Sequence, residues 1–359
     1  MPNILYYISG HGYGHATRSI ELIKALMLKS PNLYFHIKTD APEWIFNLNL
    51  KENYSLDRIK IDVGTVQNTS FYIDKKETLN EWDDLLNKKD AIVEEEVAYA
   101  EKLKAKIIIA DIPPLAFDMA RKAGIPSVAL ANFTWDWIYS HYTEDYPDFS
   151  CLVQQIKSSY RKADLLLRLP FYGDLSVFPK IKDIPLIARQ AIKSKAEILE
   201  LLNLNKNHPQ KLVLVALRAS DLTEVNLNRA FASNNFFFIT MGLTRSYKHN
   251  LNLPPNFIRF TDLVNACDLV LSKPGYGIVS DIIANQTPLL YTQREDFAEY
   301  SILVQGLKRY AVSNYLPQKD FFSGNWGDYL QELLDNKKPW EYIPVNGADK
   351  GAVEILNLI

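Results

Sequence analysis

Two stretches of this sequence set glycines beside groups that handle protons or phosphates. In "YYISGHGYGHATRSIELIKAL", residues 6–26, Gly10, Gly12 and Gly14 alternate with His11 and His15, between an apolar run and an amphipathic one. In "SKPGYGIVSDII", Pro274, Gly275, Tyr276 and Gly277 follow the apolar run LVLS, and Asp281 comes about one turn into the next helical run. Glycines at a strand-to-helix turn let a ligand approach the backbone closely. The free N–H groups and partial positive charge of a helix start favour an anion. A diphosphate is the natural anion for Gly275, Tyr276 and Gly277. Asp281 is then placed to accept from the vicinal hydroxyls of a ribose. A carboxylate there is also favourable to the helix dipole with no ligand at all.

His15 falls at the first helical position, facing the same edge. A neutral imidazole suits general-base work near neutral pH, and a helix N-terminus favours the neutral form. Helix capping is the plainer role for it. His11 reads as a loop hydrogen-bonder. The glycine spacing is not G-x-G-x-x-G, and Asp40 in HIKTD is the one acidic residue near the expected place, so a dinucleotide fingerprint is not indicated. A base histidine works better with a carboxylate on its other nitrogen. Asp111, ending the apolar run KIIIAD, is the candidate; its plainer role is N-cap of the following "PLAFDMARKA" helix.

Two further stretches belong to the same edge. "ANFTWDWIYSHY" offers Asn132, Trp135 and Asp136, a set suited to a sugar or polar acceptor, while Trp137 reads as core. "YTQREDFAEYS" offers Arg294, Glu295, Asp296 and Glu299 just past an apolar run, either at the donor or as an ordinary charged loop. No Asp-x-Asp ends a strand and no His/Glu cluster has metal-ligand spacing, so no catalytic metal is expected.

The elements that must position these residues are legible as alternation. NILYYIS, LYFHIKT, KIIIAD and PSVALANF read as strands; HATRSIELIKALMLK and PLAFDMARKAG, closed by Gly124, read as helices between them. This βαβα order predicts a parallel sheet covered on both faces. The pattern blurs between about 140 and 185, then restarts. SKAEILELLNL and GYGIVSDIIANQ read as helices; QKLVLVAL, NFFFIT, NFIRFT, LVLSK and TPLLYT read as strands. The expected fold is α/β, two Rossmann-like doubly wound domains facing a cleft. Expected spans are 1–190 on the acceptor side and 191–345 for the nucleotide-sugar, with 346–359 a final helix packing back on the first domain. Ligands of open α/β sheets bind at the carboxyl ends of the strands, where all these motifs fall.

Composition sets bounds. A chain of 359 residues is too long for one ordinary core. A net charge of −2 gives no global basic field for nucleic acid. Cys151 and Cys267 are far apart, with no metal or disulfide spacing. The start "MPNILYYISG" reads as a strand, with no basic n-region, and no apolar stretch reaches about 18 residues. A cytoplasmic location follows as the expectation. No linear patch marks peripheral membrane contact, and oligomeric state is unreadable.

Together these residues resemble a GT-B glycosyltransferase. The run "DLVNACDLVLSKPGYGIVSDIIANQTPLLYTQREDFAE" is similar to the donor half of nucleotide-sugar transferases related to MurG and the UDP-glucosyl and glucuronosyl transferases. "YYISGHGYGHATRSIELIKAL", "ADIPPLAFDMARKAGIPSVALANFTWDWIYSHY", "RLPFYGDLSVFPKIKDIPLIAR" and "LSKPGYGIVSD" resemble the glycosyltransferase-like N-terminal part of plant L-arabinokinase. The resemblance spans nearly the whole chain. It implies an NDP-sugar, UDP-sugar favoured, held by the second domain, and a hydroxyl acceptor held by the first. It implies His15 as base with Asp111, Asp281 at the donor ribose, and Arg294 and Glu299 at the donor sugar. The implied reaction is inverting and metal-independent, with no cofactor beyond the nucleotide-sugar co-substrate. Where relatives carry a Phe-Gly-Gly loop, this chain has Arg218, Ala219 and Ser220; Arg218 either pairs with the diphosphate or blocks it. A non-catalytic sugar-binding module and a nucleotide-sugar epimerase or hydrolase are the alternatives.

Overall fold

The structure, a computed structural model, describes residues 1–67, 71–294 and 296–359. Seven strands form the first sheet: β1 (Asn3–Ile8), β2 (Tyr34–Thr39), β3 (Tyr54–Arg58), β4 (Ile107–Asp111), β5 (Ser127–Ala131), β6 (Leu165–Arg168) and β7 (Ile181–Asp183). Their spatial order is β3-β2-β1-β4-β5-β6-β7, and every pairing is parallel. Six form the second: β8 (Lys211–Val215), β9 (Phe236–Met241), β10 (Asn250–Leu253), β11 (Leu269–Ser272), β12 (Leu289–Thr292) and β13 (Ser313–Leu316). Their order is β10-β9-β8-β11-β12-β13, again parallel throughout.

The central strands are apolar through most of their length because helices cover both faces. All five residues of β4 are buried. Strand order reverses beside β1 and again beside β8. Such reversals open a crevice at the carboxyl ends of the flanking strands. In the first sheet the crevice lies between β1 and β4, whose last residues, Ile8 and Asp111, are paired in register. In the second it lies between β8 and β11, where Val215 pairs with Leu271. The motifs therefore sit where the topology leaves room for a ligand.

Local signals account for several helix ends. The helix Leu115–Ala123 stops at Gly124, whose φ of +67° is left-handed. The helix Lys195–Leu201 opens with a capping box between Ser194 and Glu197. One expected strand is absent. NFIRFT runs into the helix Phe260–Ala266, and the edge strand is β10, earlier in the chain. Three apolar residues, Phe257, Ile258 and Phe260, fit the approach to a buried helix as well as a strand, and periodicity does not separate them.

The final helix, Gly347–Leu356, lies against the first helix, Gly14–Lys29, and Gly351 packs on Leu22, Leu167 and Ile184. Gly347 abuts the carbonyls of Pro185 and Leu186 so closely that a Cβ would run into backbone oxygen. Gly347→Ala should therefore cost about 1–3 kcal/mol, read as a lowered urea midpoint. Among the described residues, no helix is long and apolar enough to cross a membrane.

Candidate active site

The site begins at the β1 crevice. The turn after β1 feeds the first helix, which carries His15, Arg18 and Ser19 on one buried face. Asp111, at the end of β4, is fully buried opposite them. Its Oδ1 lies 2.7 Å from His15 Nδ1 and 2.5 Å from Arg18 Nη2. Its Oδ2 accepts from Arg18 Nε at 2.7 Å and from Ser19 Oγ at 2.9 Å. Arg18 Nη2 also lies 3.1 Å from His15 Nδ1. A guanidinium has only protons to give, so the Nδ1 proton is assigned to the bond with Asp111. That assignment leaves the Nε2 lone pair for chemistry. Nε2 takes no hydrogen bond among the described residues. Burial alone would raise the Asp111 carboxyl; Arg18 and His15 outweigh it and hold it below the usual carboxylate range.

Around His15 stands an aromatic wall. Phe133 and Trp135 lie 5.5 and 6.2 Å from its ring. Trp135 is fully buried and donates Nε1–H to Asp62 at 3.0 Å. Phe297, from the second half of the chain, closes this wall at 6.1 Å from Phe133 and 6.5 Å from His11. His11 is turned into a neighbouring loop. Its Nδ1 accepts from the Thr65 N–H at 3.2 Å, and Gly64, at φ +70°, leaves no room there for a Cβ beside His11. Burial, then the charges of Arg294 and His15, push the His11 pKa well below its ordinary value. It is held neutral and engaged in the loop.

The second crevice presents cations. Arg218 follows β8, Lys273 follows β11 directly and Arg294 follows β12, so three adjacent strands each end in one. Burial, and then Arg294, press the Lys273 ammonium well below its ordinary pKa, with Arg218 adding to it and Asp221 opposing. Arg294 is 9% exposed, its guanidinium lies 3.6 Å over the Phe297 ring, and its Nε has no hydrogen-bond partner among the described residues. Burial lowers its pKa to about 10, against the pull of Glu299. Three gathered cations at strand ends suit a diphosphate.

The other expected residues divide. Asn132 and Glu299 come together: Asn132 Nδ2 donates to Glu299 Oε1 at 2.6 Å, and Asn132 Oδ1 accepts from Arg18 Nη1 at 2.7 Å. The two glycine turns meet each other, since a Cβ on Gly277 would lie 3.6 Å from Gly14 Cα. Tyr276 is buried under Arg18, whose guanidinium lies 5.1 Å from the ring centre. Gly275 and Gly12 border open space, whereas Gly10 packs on Asp40. Asp281 is 1% exposed, and both its oxygens face Arg189 of the connecting segment, in a bidentate ion pair. Asp136 is buried with Thr134, Lys157 and Asp174 as its polar neighbours, apart from the His15 cluster. Asp296 pairs with Lys75 at 3.2 Å, and Glu295 lies outside the described residues.

Sequence reasoning missed Arg18, Asp62, Lys273 and Arg189. Arg18 had a usable signal, because it lies three residues after His15 and so shares its helix face. Lys273 stood inside the quoted glycine motif. Asp62 and Arg189 lie in segments with no periodic pattern, and only the fold brings them in.

Comparison with known proteins gives the family. The model of glycosyl transferase family 1 matches residues 2–302. L-arabinokinase of Arabidopsis thaliana is 29% identical over 357 residues, covering 97% of this chain and 33% of the relative. The chain thus spans about a third of that relative's length. Among solved structures, the glycotransferase of kitacinnamycin superposes with a TM-score of 0.66 at 14% identity, covering 100% of this chain and 99% of that one. UGT89C1 of Arabidopsis thaliana, complexed with UDP-L-rhamnose, gives 0.61 at 15% identity, covering 99% and 94%. The two facing parallel sheets are the GT-B fold. With a family model matching most of its length, the chain belongs to glycosyl transferase family 1, as a glycosyltransferase of the GT-B fold.

Proposed function

We propose that the chain transfers a sugar from a nucleoside-diphosphate sugar, UDP-sugar favoured, to a hydroxyl acceptor with inversion and without a metal. One observation carries this: a buried His15–Asp111 pair on one domain stands near the cations Arg218, Lys273 and Arg294 on the other. The acceptor hydroxyl gives its proton to His15 Nε2 as its oxygen attacks the anomeric carbon. The bond from that carbon to the diphosphate oxygen breaks, and its electron pair leaves with the diphosphate. A single displacement between groups from opposite domains supports inversion. Arg218, Lys273 and Arg294 supply the charge that a metal would otherwise bring to the leaving group. A ribose at Asp281 would require its buried ion pair with Arg189 to open. UDP is favoured because a protein of the same fold holds UDP-L-rhamnose.

A thermal-shift panel of UDP, GDP and dTDP, followed by an acceptor screen with the sugar of the nucleotide that binds, tests this. A nucleotide at 100 times its dissociation constant should add roughly 2.7 kcal/mol of apparent stability. No shift with any of them would overturn the donor site. Binding with neither transfer nor loss of the sugar would leave a binding module.

Lys273 gives the panel a pH dependence. A diphosphate binds the charged ammonium, whose pKa is depressed in the free protein. Binding should therefore take up a proton, and UDP affinity should fall as pH rises through the free-state pKa. Lys273→Met should weaken UDP by about 10- to 100-fold and flatten that dependence, measured by calorimetry in buffers of different ionisation enthalpy.

A further inference from the structure

We propose that Arg18, Asn132 and Glu299 form a buried relay through which contact between the two domains holds His15 in the tautomer a base requires, with Arg18 as the positioning residue. The relay rests on His15 being the base, as inferred above. Each link has a fixed polarity. The planar guanidinium of Arg18 grips Asp111 through Nε and Nη2, at 2.7 and 2.5 Å, and so sets the rotation of the carboxylate. With that rotation set, Oδ1 is presented to His15 Nδ1. The remaining Arg18 nitrogen, Nη1, donates to Asn132 Oδ1. Arginine accepts nothing, so the Asn132 amide has one orientation, and its Nδ2 must face away from Arg18. It faces Glu299 Oε1 at 2.6 Å, across the boundary between the sheets.

Glu299 opens the helix Glu299–Tyr310, which follows β12, and Arg294 lies in the same β12-to-helix loop. The second domain also supplies the Tyr276 ring under Arg18. Arg18, Asp111, Asn132 and Glu299 are each at most 4% exposed, so little water competes with these bonds. With the domains apart, the Glu299 carboxylate would meet water, and the Asn132 amide would keep only its longer bond to the Phe171 carbonyl, at 3.4 Å. Arg18 would then lose its aromatic face, and its amide acceptor would be held by that weaker bond alone. Closure of the domains is thereby coupled to His15 with no hydrogen bond between His15 and Glu299 among the described residues.

The test reads the tautomer directly. The full chain is labelled with nitrogen-15 at histidine, and NMR spectra are recorded above the ordinary histidine range. The His15 signals are identified by their loss in His15→Gln. The wild type should show Nδ1–H. Glu299→Ala should lower the ratio of Nδ1–H to Nε2–H forms by about 3- to 10-fold, the worth of one hydrogen bond. Glu299→Gln keeps a carbonyl oxygen for Asn132 and should restore the ratio. Should Glu299→Ala not fold, Asn132→Ser, too short to span Arg18 and Glu299, is read the same way. An unchanged ratio in a folded variant overturns the relay, whatever His15→Gln does to turnover. A changed ratio, with full transfer retained by His15→Gln, keeps the relay and removes the base assignment.

Discussion

His15→Ala should lower turnover by about 10²–10⁴-fold while leaving UDP affinity unchanged. The split follows from where the groups sit. His15 touches Asp111, Arg18 and the Phe133–Trp135 wall, all in the first half of the chain. The cations assigned to the diphosphate end strands of the second sheet. A base acts on the acceptor proton as it leaves, so its loss falls on the chemical step and spares binding. The imidazole fills a buried place, so His15→Gln is the companion variant, close in size and without a comparable base. Equal losses in both, with UDP still raising the thermal midpoint, would fix the effect on proton transfer. Full turnover in either folded variant would remove His15 as base.

What the sequence showed depended on which forces act locally. Strand-to-helix turns are written by nearby glycines, so both motif loops and their flanking elements were readable. The Asp111 position was readable because an acid after three isoleucines and an alanine has no ordinary surface reason. The partners of these residues were not. Arg18 was not singled out in the sequence, and it is buried because its fork is met by Asp111 and Asn132. Asp281 looked free to meet a ribose, but its place inside the helix puts it against Arg189 of the connecting segment, a contact 92 residues apart in sequence. The glycines of the two turns were read as room for ligands. Gly14 and Gly277 instead let two helix starts approach each other. Long-range pairings of this kind depend on how the two sheets face one another, which no local pattern encodes.

The second large effect is on stability. Asp111→Ala should destabilise the protein by about 3–5 kcal/mol, because it strips a buried guanidinium of its counter-charge. Arg18 is 4% exposed, and the other acceptor of its hydrogen bonds among the described residues is the neutral amide of Asn132. No water replaces the carboxylate there at low cost. Changing both residues to apolar ones of similar size, Arg18→Met with Asp111→Leu, removes the charge and its partner together. A buried ion pair replaced in that way is often near neutral in stability. The double variant should therefore recover most of the loss in urea unfolding and still be inactive, since His15 would have lost the group that orients it. If it is no more stable than Asp111→Ala alone, the unpaired charge is not the cause, and the loss belongs to the bonds that Asp111 accepts from Ser19 and His15. Acid gives an independent check. The native Asp111 carboxyl titrates below its ordinary value, so its contribution is full above that value, about 3.9, and is lost as pH falls through the native one. The gap between wild type and the Asp111→Ala variant should close in that acid window and stay constant above it.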